Sequence, residues 1–437
     1  MTEKNILDQK VEEYIAEAKH LQVGVLVRNL KDFGITELDK KALITYLSIA
    51  AQNYEGIFPY NRYIKNGSNP FSSVVSPDEK TEKDCIVWCS NHYLGLNRHP
   101  KVIQYAHQIL DEYGTGSGTS AVSGGFSKIH KVLEAELAAF VKKPEAVLYA
   151  TGFTTNIGAI SSLATPDDLI IVDRDSHASI IDGIKMSKAD FRIFKHNNPE
   201  HLEQILKSIN RSKYGNIIVI TESVFSMSGE EAPLLEYCKL KDKYGFYLFV
   251  DEAHAFGFYG QNGSGLAEKL QCTNQIDFFM STLSKATASI GGFIATEKHF
   301  CYFLRVNSNP YLFQACLSPV DAAVSVAALK IIKEDKTLPQ KLWSNTTLLR
   351  TQLQSLGFDV GKSKSPIVPL YVSDEIKLAK LCKELYKNGI FTNWVSYPVV
   401  SKKHGRLRFV VTANHTEQQI AKTIEILKDL GKKIEII

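Results

Sequence analysis

A single lysine stands among small and hydroxyl residues in Ser281-Thr282-Leu283-Ser284-Lys285-Ala286-Thr287-Ala288-Ser289-Ile290-Gly291-Gly292. A lysine on a solvated turn normally has charged neighbours. One held in a small-residue pocket can lose its proton and act as an amine nucleophile. A second candidate is acidic: Asp251-Glu252-Ala253-His254 follows an apolar run from Phe246 to Val250. A carboxylate at the end of a buried strand is costly unless it meets a cation; a capping Asp is the plainer alternative. Thr151-Gly152-Phe153-Thr154-Thr155-Asn156 has the glycine and hydroxyls of an anion site at a helix start, where backbone N–H groups are unpaired and the dipole is positive. Two more turns are polar: Asp173-Arg174-Asp175-Ser176-His177-Ala178-Ser179, and Thr221 to Gly229 with Ser226 in it. Each taken alone reads equally well as a structural loop.

What unites them is the element that precedes each. Ala146–Tyr149, Leu169–Val172, Ile217–Ile220, Phe246–Val250 and Phe278–Met280 are short continuous apolar runs, as expected for strands buried on both faces of a parallel sheet. Helix-like segments, His201–Ile209 and Leu234–Lys243 among them, alternate with these runs, which predicts an open α/β sheet covered by helices. Ligands of such sheets gather at the carboxyl ends of the strands, where all five turns fall. An amine to form an imine, an acid for a pyridine nitrogen, a histidine for a ring face, and hydroxyls with a helix start for a phosphate together describe a site for pyridoxal 5'-phosphate (PLP).

The rest of the chain limits the alternatives. The 437 residues carry 51 Lys+Arg against 47 Asp+Glu, a formal net charge of +4, without the basic stripe of a dedicated nucleic-acid binder. No apolar run approaches a membrane span, and the charged start, Met1-Thr2-Glu3-Lys4-Asn5, lacks a signal-type stretch. Seven scattered cysteines show no zinc spacing and read as free thiols of a cytoplasmic protein, so no metal site is expected. Asp251–His254 also spells a DEAH box, but the only approximate phosphate loop, Gly357–Ser363, is one residue short and lies downstream of it. Gly114-Thr115-Gly116-Ser117-Gly118 follows a helix-like segment, Val102–Tyr113, and so fails as a dinucleotide fingerprint. Three regions are expected: residues 1–84, an N-terminal helical arm and linker (Asp8–Lys19 and Glu37–Ala51 helical); residues 85–318, a large α/β domain; residues 319–437, a smaller C-terminal α+β domain.

The chain resembles the α-oxoamine synthases, a fold-type I PLP family. The matching stretches include Cys89-Ser90-Asn91-His92-Tyr93-Leu94-Gly95-Leu96, Gly114–Gly118, Ser176–Ile180, His196-Asn197, Val224–Met227, Asp251–His254, Ser284-Lys285 and Arg406-Leu407-Arg408, in the family's order from about residue 85 to 430. The resemblance implies a mostly parallel central sheet and a homodimer with the active site at its interface. It implies that Lys285 holds the cofactor aldehyde as an imine and that Asp251 pairs with the ring nitrogen. His177 would stack on the ring, with His254 and Ser226 near its hydroxyl. The Gly152 and Phe153 amides with Thr282 and Ser284 would hold the phosphate, and Asn91 and Arg408 would face the amino-acid carboxylate. The implied reaction is a decarboxylative condensation of a small amino acid with an acyl thioester, carried by CoA or an acyl carrier protein, to give an α-amino ketone. Several stretches look most like bacterial serine palmitoyltransferases, which points to sphingolipid biosynthesis. Tyr397-Pro398-Val399-Val400 is similar instead to glycine C-acetyltransferase, and 8-amino-7-oxononanoate synthase is a further alternative. Ser396, Ala121 and Gln314 depart from residues that several branches carry, and a non-catalytic partner subunit is the remaining rival.

Overall fold

The computed structural model describes residues 36–54, 61–76, 80–396 and 400–437. The helix expected over Asp8–Lys19 lies outside these residues, as do three of the four positions of the stretch from Tyr397. The helix expected over Glu37–Ala51 is found as Leu38–Tyr54.

Within residues 63–84, expected as part of an arm and linker, the chain forms strands that run on to Val87. β1 (Tyr63–Ile64), β2 (Phe71–Ser76) and β3 (Thr81–Val87) form an antiparallel meander. The turn cluster Asn66–Pro70 connects the first two. β2 alternates inward and outward side chains, and its few apolar residues left no continuous run to read.

The central sheet has seven strands: β4 (Glu145–Tyr149), β5 (Leu169–Asp173), β6 (Asp190–Phe194), β7 (Ile217–Glu222), β8 (Tyr247–Asp251), β9 (Phe278–Thr282) and β10 (Gly292–Thr296). Their order across the sheet is β4-β10-β9-β8-β7-β5-β6. All neighbours are parallel except β10, which runs against both β4 and β9. Every residue of β5, β7, β9 and β10 is buried, which is why β5, β7 and β9 read as unbroken apolar runs. Each fully buried Leu or Ile contributes about 1.5–3 kcal/mol relative to exposure. β6 is an edge strand with four of its five residues exposed, so its polar alternation concealed it in the sequence.

The last part of the chain holds β11 (Ile367–Tyr371), β12 (Ile390–Phe391), β13 (Asn393–Val395) and β14 (Arg406–Val410). β14 is the middle strand of an antiparallel sheet between β11 and β13. Helix Glu417–Lys433 begins at Thr416, whose hydroxyl accepts from the Gln419 N–H in a capping box. β12 does not join this sheet: it pairs in parallel with β3, Ile390 beside Ile86 and Phe391 beside Val87. The chain's early meander is thus built onto its late strands. A ring stack locks the joint: Trp88 lies on His415 with centroids 4.0 Å apart and planes 7° apart. His415 Nε2 bonds the Val87 carbonyl oxygen (3.0 Å), its Nδ1 accepts from the Thr412 N–H, and burial pushes its pKa down to about 4. The ring therefore serves as a neutral brace.

Candidate active site

The carboxyl ends of β4, β5, β7, β8 and β9 open onto one cavity of about 300 Å³. Lys285, Asp251, His177, His254, Gly152, Phe153, Thr282 and Ser284 all line it. The sheet brings them together because each turn follows a strand that runs in the same direction.

Lys285 lies just past β9 in a tight turn: the Ala288 N–H donates to the Lys285 carbonyl (3.0 Å), with Ala288 at φ 54. That left-handed backbone in a non-glycine residue stores strain in the turn that carries the lysine. Burial lowers the Lys285 pKa to about 8, against the opposing pull of Asp251 and Glu222. A substantial neutral fraction at ordinary pH is what a nucleophilic amine requires.

Asp251 ends β8 and is 5 % exposed. Its Oδ2 accepts from Asn156 Nδ2 (2.8 Å) and its Oδ1 from the Ala253 N–H (2.9 Å). The same Asn156 amide donates to Ser179 Oγ (2.9 Å), and Ser179 Oγ bonds His177 Nδ1 (2.8 Å). One hydrogen-bonded chain thus ties the acid to the histidine. Burial lowers the His177 pKa, with Lys285 adding to it and Asp251 opposing, so the imidazole is the neutral form at neutral pH. His254 is held by Tyr93, whose Oη lies 2.7 Å from Nδ1, and burial pushes its pKa well below the ordinary value.

At the other wall, helix Gly152–Leu163 starts against β10. A Cβ on Gly152 would come 2.6 Å from Thr282 Oγ1, and one on Gly292 2.8 Å from the Gly152 Cα. Only glycines allow the helix start to sit this close. Thr151 caps the helix through the Thr154 N–H, leaving the Gly152 and Phe153 amides in the first turn beside Thr282 and Ser284, whose hydroxyls are 2.9 Å apart.

Asn91, Arg408 and Ser226 are brought together next to the cavity and do not line it. Arg408 donates from Nη2 to Asn91 Oδ1 (3.0 Å) and from Nε to the Ser226 carbonyl (2.6 Å). Ser226 was expected near a ring hydroxyl; here its backbone oxygen is what a neighbour engages. Two residues earlier on β14, Arg406 donates to the Met227 carbonyl (3.1 Å) and to Tyr371 Oη (3.0 Å). Residues two apart on a strand share a face, so both arginines clasp the same loop.

His196, from the His196-Asn197 stretch, bonds Asp173 Oδ1 through Nδ1 (2.9 Å), and Asp173 Oδ2 accepts the Asn197 N–H (2.9 Å). Burial opposes its charge, but the bond to Asp173 and the field of Asp173, Asp175 and Glu230 raise its pKa. The group is an acid–base brace on the β5 loop.

Comparison with known proteins identifies the family. A family model described as aminotransferase class I and II matches residues 83–427. The 8-amino-7-oxononanoate synthase of Thermoanaerobacter pseudethanolicus is 39% identical over 356 residues, 81% of this chain and 90% of that enzyme. That of Alkaliphilus metalliredigens is 37% identical over 355 residues, 81% of this chain and 90% of that enzyme. Among solved structures, serine palmitoyltransferase from S. paucimobilis superposes with a TM-score of 0.87 at 28% identity, covering 92% of this chain and all (100%) of that one. The chain belongs to the aminotransferase class I and II family. Within it, this is an α-oxoamine synthase with the fold-type I architecture, a PLP-dependent acyltransferase that condenses an amino acid with an acyl thioester.

The synthase's own residues fit the cofactor. A buried carboxylate met by two neutral N–H donors suits a protonated ring nitrogen. The glycine-walled helix start offers unpaired amides to a phosphate. Asn156, Ser179, Glu222 and Tyr93 are site residues that the sequence reading quoted without giving them a role. Asn156 carried a signal, standing one helical turn after Gly152 and so on the same face. Glu222 carried another, ending a strand as Asp251 does.

Proposed function

We propose that Lys285, Asp251 and His177 form the catalytic centre of this synthase. Lys285 would hold the cofactor aldehyde, and its neutral amine would serve as the base for the amino acid's Cα proton. Asp251 would pair with the ring nitrogen and keep it protonated. His177, held neutral by burial and oriented by Ser179, would cover the ring face. The Gly152 and Phe153 amides, Thr282 and Ser284 would hold the phosphate, and His254 would face the ring hydroxyl. Arg408 and Asn91 receive the amino-acid carboxylate; a guanidinium suits bidentate binding of that group. When bound, PLP supplies an electron sink for the pair left by the broken Cα–H bond. The overall balance is amino acid plus acyl thioester giving α-amino ketone, free thiol and CO₂.

The single observation that carries this reading is the placement of a low-pKa lysine and a buried, neutral-donor-bound aspartate in one cavity beside a glycine-walled helix start. It is tested by Asp251→Asn, which should lower turnover by roughly 10²–10⁴-fold. Near-normal kinetics would remove Asp251 from its role.

The curated relatives at 34–39% identity are 8-amino-7-oxononanoate synthases, and they lend no support to the sphingolipid assignment. The name of their product describes an α-amino ketone. Its methyl and amino-bearing carbons are what alanine leaves after decarboxylation, and its far end is a carboxylate. Alanine with an acyl thioester that ends in a carboxylate is therefore the favoured substrate pair. A serine-using reading follows from the serine palmitoyltransferase superposition over 92% of the chain. Spectral titration of the loaded protein with glycine, alanine, serine and cysteate, then turnover with acyl-CoA and acyl carrier protein thioesters, separates the two. A response to serine and a plain long acyl chain alone would overturn the alanine reading.

The protein acts as a homodimer in the cytoplasm. Phe153 and Ile290, both lining the cavity, are each 44% exposed; a second copy covering them would bury these apolar side chains. No helix among the described residues is long and apolar enough to cross a membrane. A purely monomeric sedimentation profile at micromolar concentration would sink the dimer.

A further inference from the structure

Glu222 is the last residue of β7, and its register partner on β8 is Asp251. Two carboxylates therefore stand side by side at adjacent strand ends, and both line the cavity that holds Lys285. Glu222 is 3 % exposed. Its Oε1 accepts the backbone N–H of His177 at 2.6 Å. That N–H belongs to the residue that opens helix Ala178–Ser187, so the bond sets where the imidazole starts.

The two acids have unequal hydrogen-bond sets. Asp251 receives the side-chain amide of Asn156 and the N–H of Ala253, one on each oxygen. Glu222 receives one backbone N–H. Donors favour the ionised form, and neighbouring like charges in a dry site cannot both ionise cheaply. The charged and titratable groups facing Glu222 are Asp251 on β8, Asp173 on β5 and Lys285 after β9, with His177 bound to it through its backbone. With two anions and one cation around it, the proton goes to the acid with fewer donors.

We propose that Glu222 is a positioning residue that anchors His177 over the cavity through its backbone while itself carrying a proton, leaving Asp251 as the anion of the site. Burial first, and Asp251 second, raise its pKa well above the ordinary carboxylate value. The proton matters because an ionised Glu222 would add a second negative charge near Lys285 and raise the lysine's pKa, shrinking its neutral fraction. A neutral acid keeps the anchor without that field.

This inference rests on the Lys285 assignment, and its test keeps the two apart. The unaltered protein and Glu222→Gln are loaded with PLP, and the visible absorbance band is followed against pH. A neutral amide replaces a neutral acid, so the band's midpoint should stay where it is. If Glu222 were an anion, its removal would lower the midpoint by about one unit or more, and the proposal falls. Glu222→Ala removes the anchor: the visible circular dichroism of the bound cofactor should drop at least about twofold and kcat about tenfold or more, with KM for the thioester little changed. Unchanged dichroism and kcat in that variant would also overturn the anchoring role. Failure of the Lys285 assignment looks different, since the unaltered protein would then show no lysine-linked visible band at any pH.

Discussion

Burial governs the chemistry at the scale of single residues. Lys285 loses its charge with a pKa of about 8 because desolvation outweighs two nearby acids. Capture of PLP by the apo protein requires the neutral amine, so its stopped-flow rate should rise with pH and level off above about 8. A flat profile would mean that another group limits capture. The folded pKa lies below the ordinary 10.5, so the unfolded chain binds more protons between those values. Lys285 should therefore add stability as pH rises across that window, so the gap in unfolding free energy between the unaltered protein and Lys285→Ala should widen with pH there. The same variant should show no covalent cofactor in borohydride-trapped mass spectra, with turnover down roughly 10²–10⁴-fold.

At the scale of elements, the site depends on strands that do not touch the cofactor. β14 presents Arg406 and Arg408 on one face to the loop carbonyls of Met227 and Ser226. Arg406→Met should raise KM for the amino acid about tenfold through the loosened loop, with KM for the thioester unchanged in steady-state assays. Behind β4, Arg305 bonds Glu134 (2.9 Å), Glu145 and the Ala146 carbonyl, fastening helix Lys298–Asn307 to the sheet. Glu134 is 3 % exposed, so Arg305→Ala leaves a buried acid without its partner and should cost about 3–5 kcal/mol by denaturant unfolding. The strands that place the catalytic loops were legible because each is buried on both faces and reads as an apolar run. β10 and β6 were not. The first opens with glycine directly after the small-residue stretch that holds Lys285, and the second is an exposed edge whose charges alternate with apolar residues. The chain of bonds from Asp251 through Asn156 and Ser179 to His177 was equally hidden, because it joins three elements that only the fold makes neighbours.

On the scale of the whole molecule, the early meander and the late strands form one body around Trp88 and His415. Trp88 is fully buried, so Trp88→Ala should cost about 3–5 kcal/mol and lower the thermal midpoint, read by calorimetry. An unchanged midpoint would mean the joint is incidental. The parallel pairing of β12 with β3 has a consequence for biosynthesis. Its partners lie about 300 residues apart, so a chain emerging from the ribosome makes β3 long before β12 exists. Until the last part of the message is translated, that strand keeps one side bare, and the nascent protein depends on holding chaperones or on speed to keep it from sticking to its neighbours.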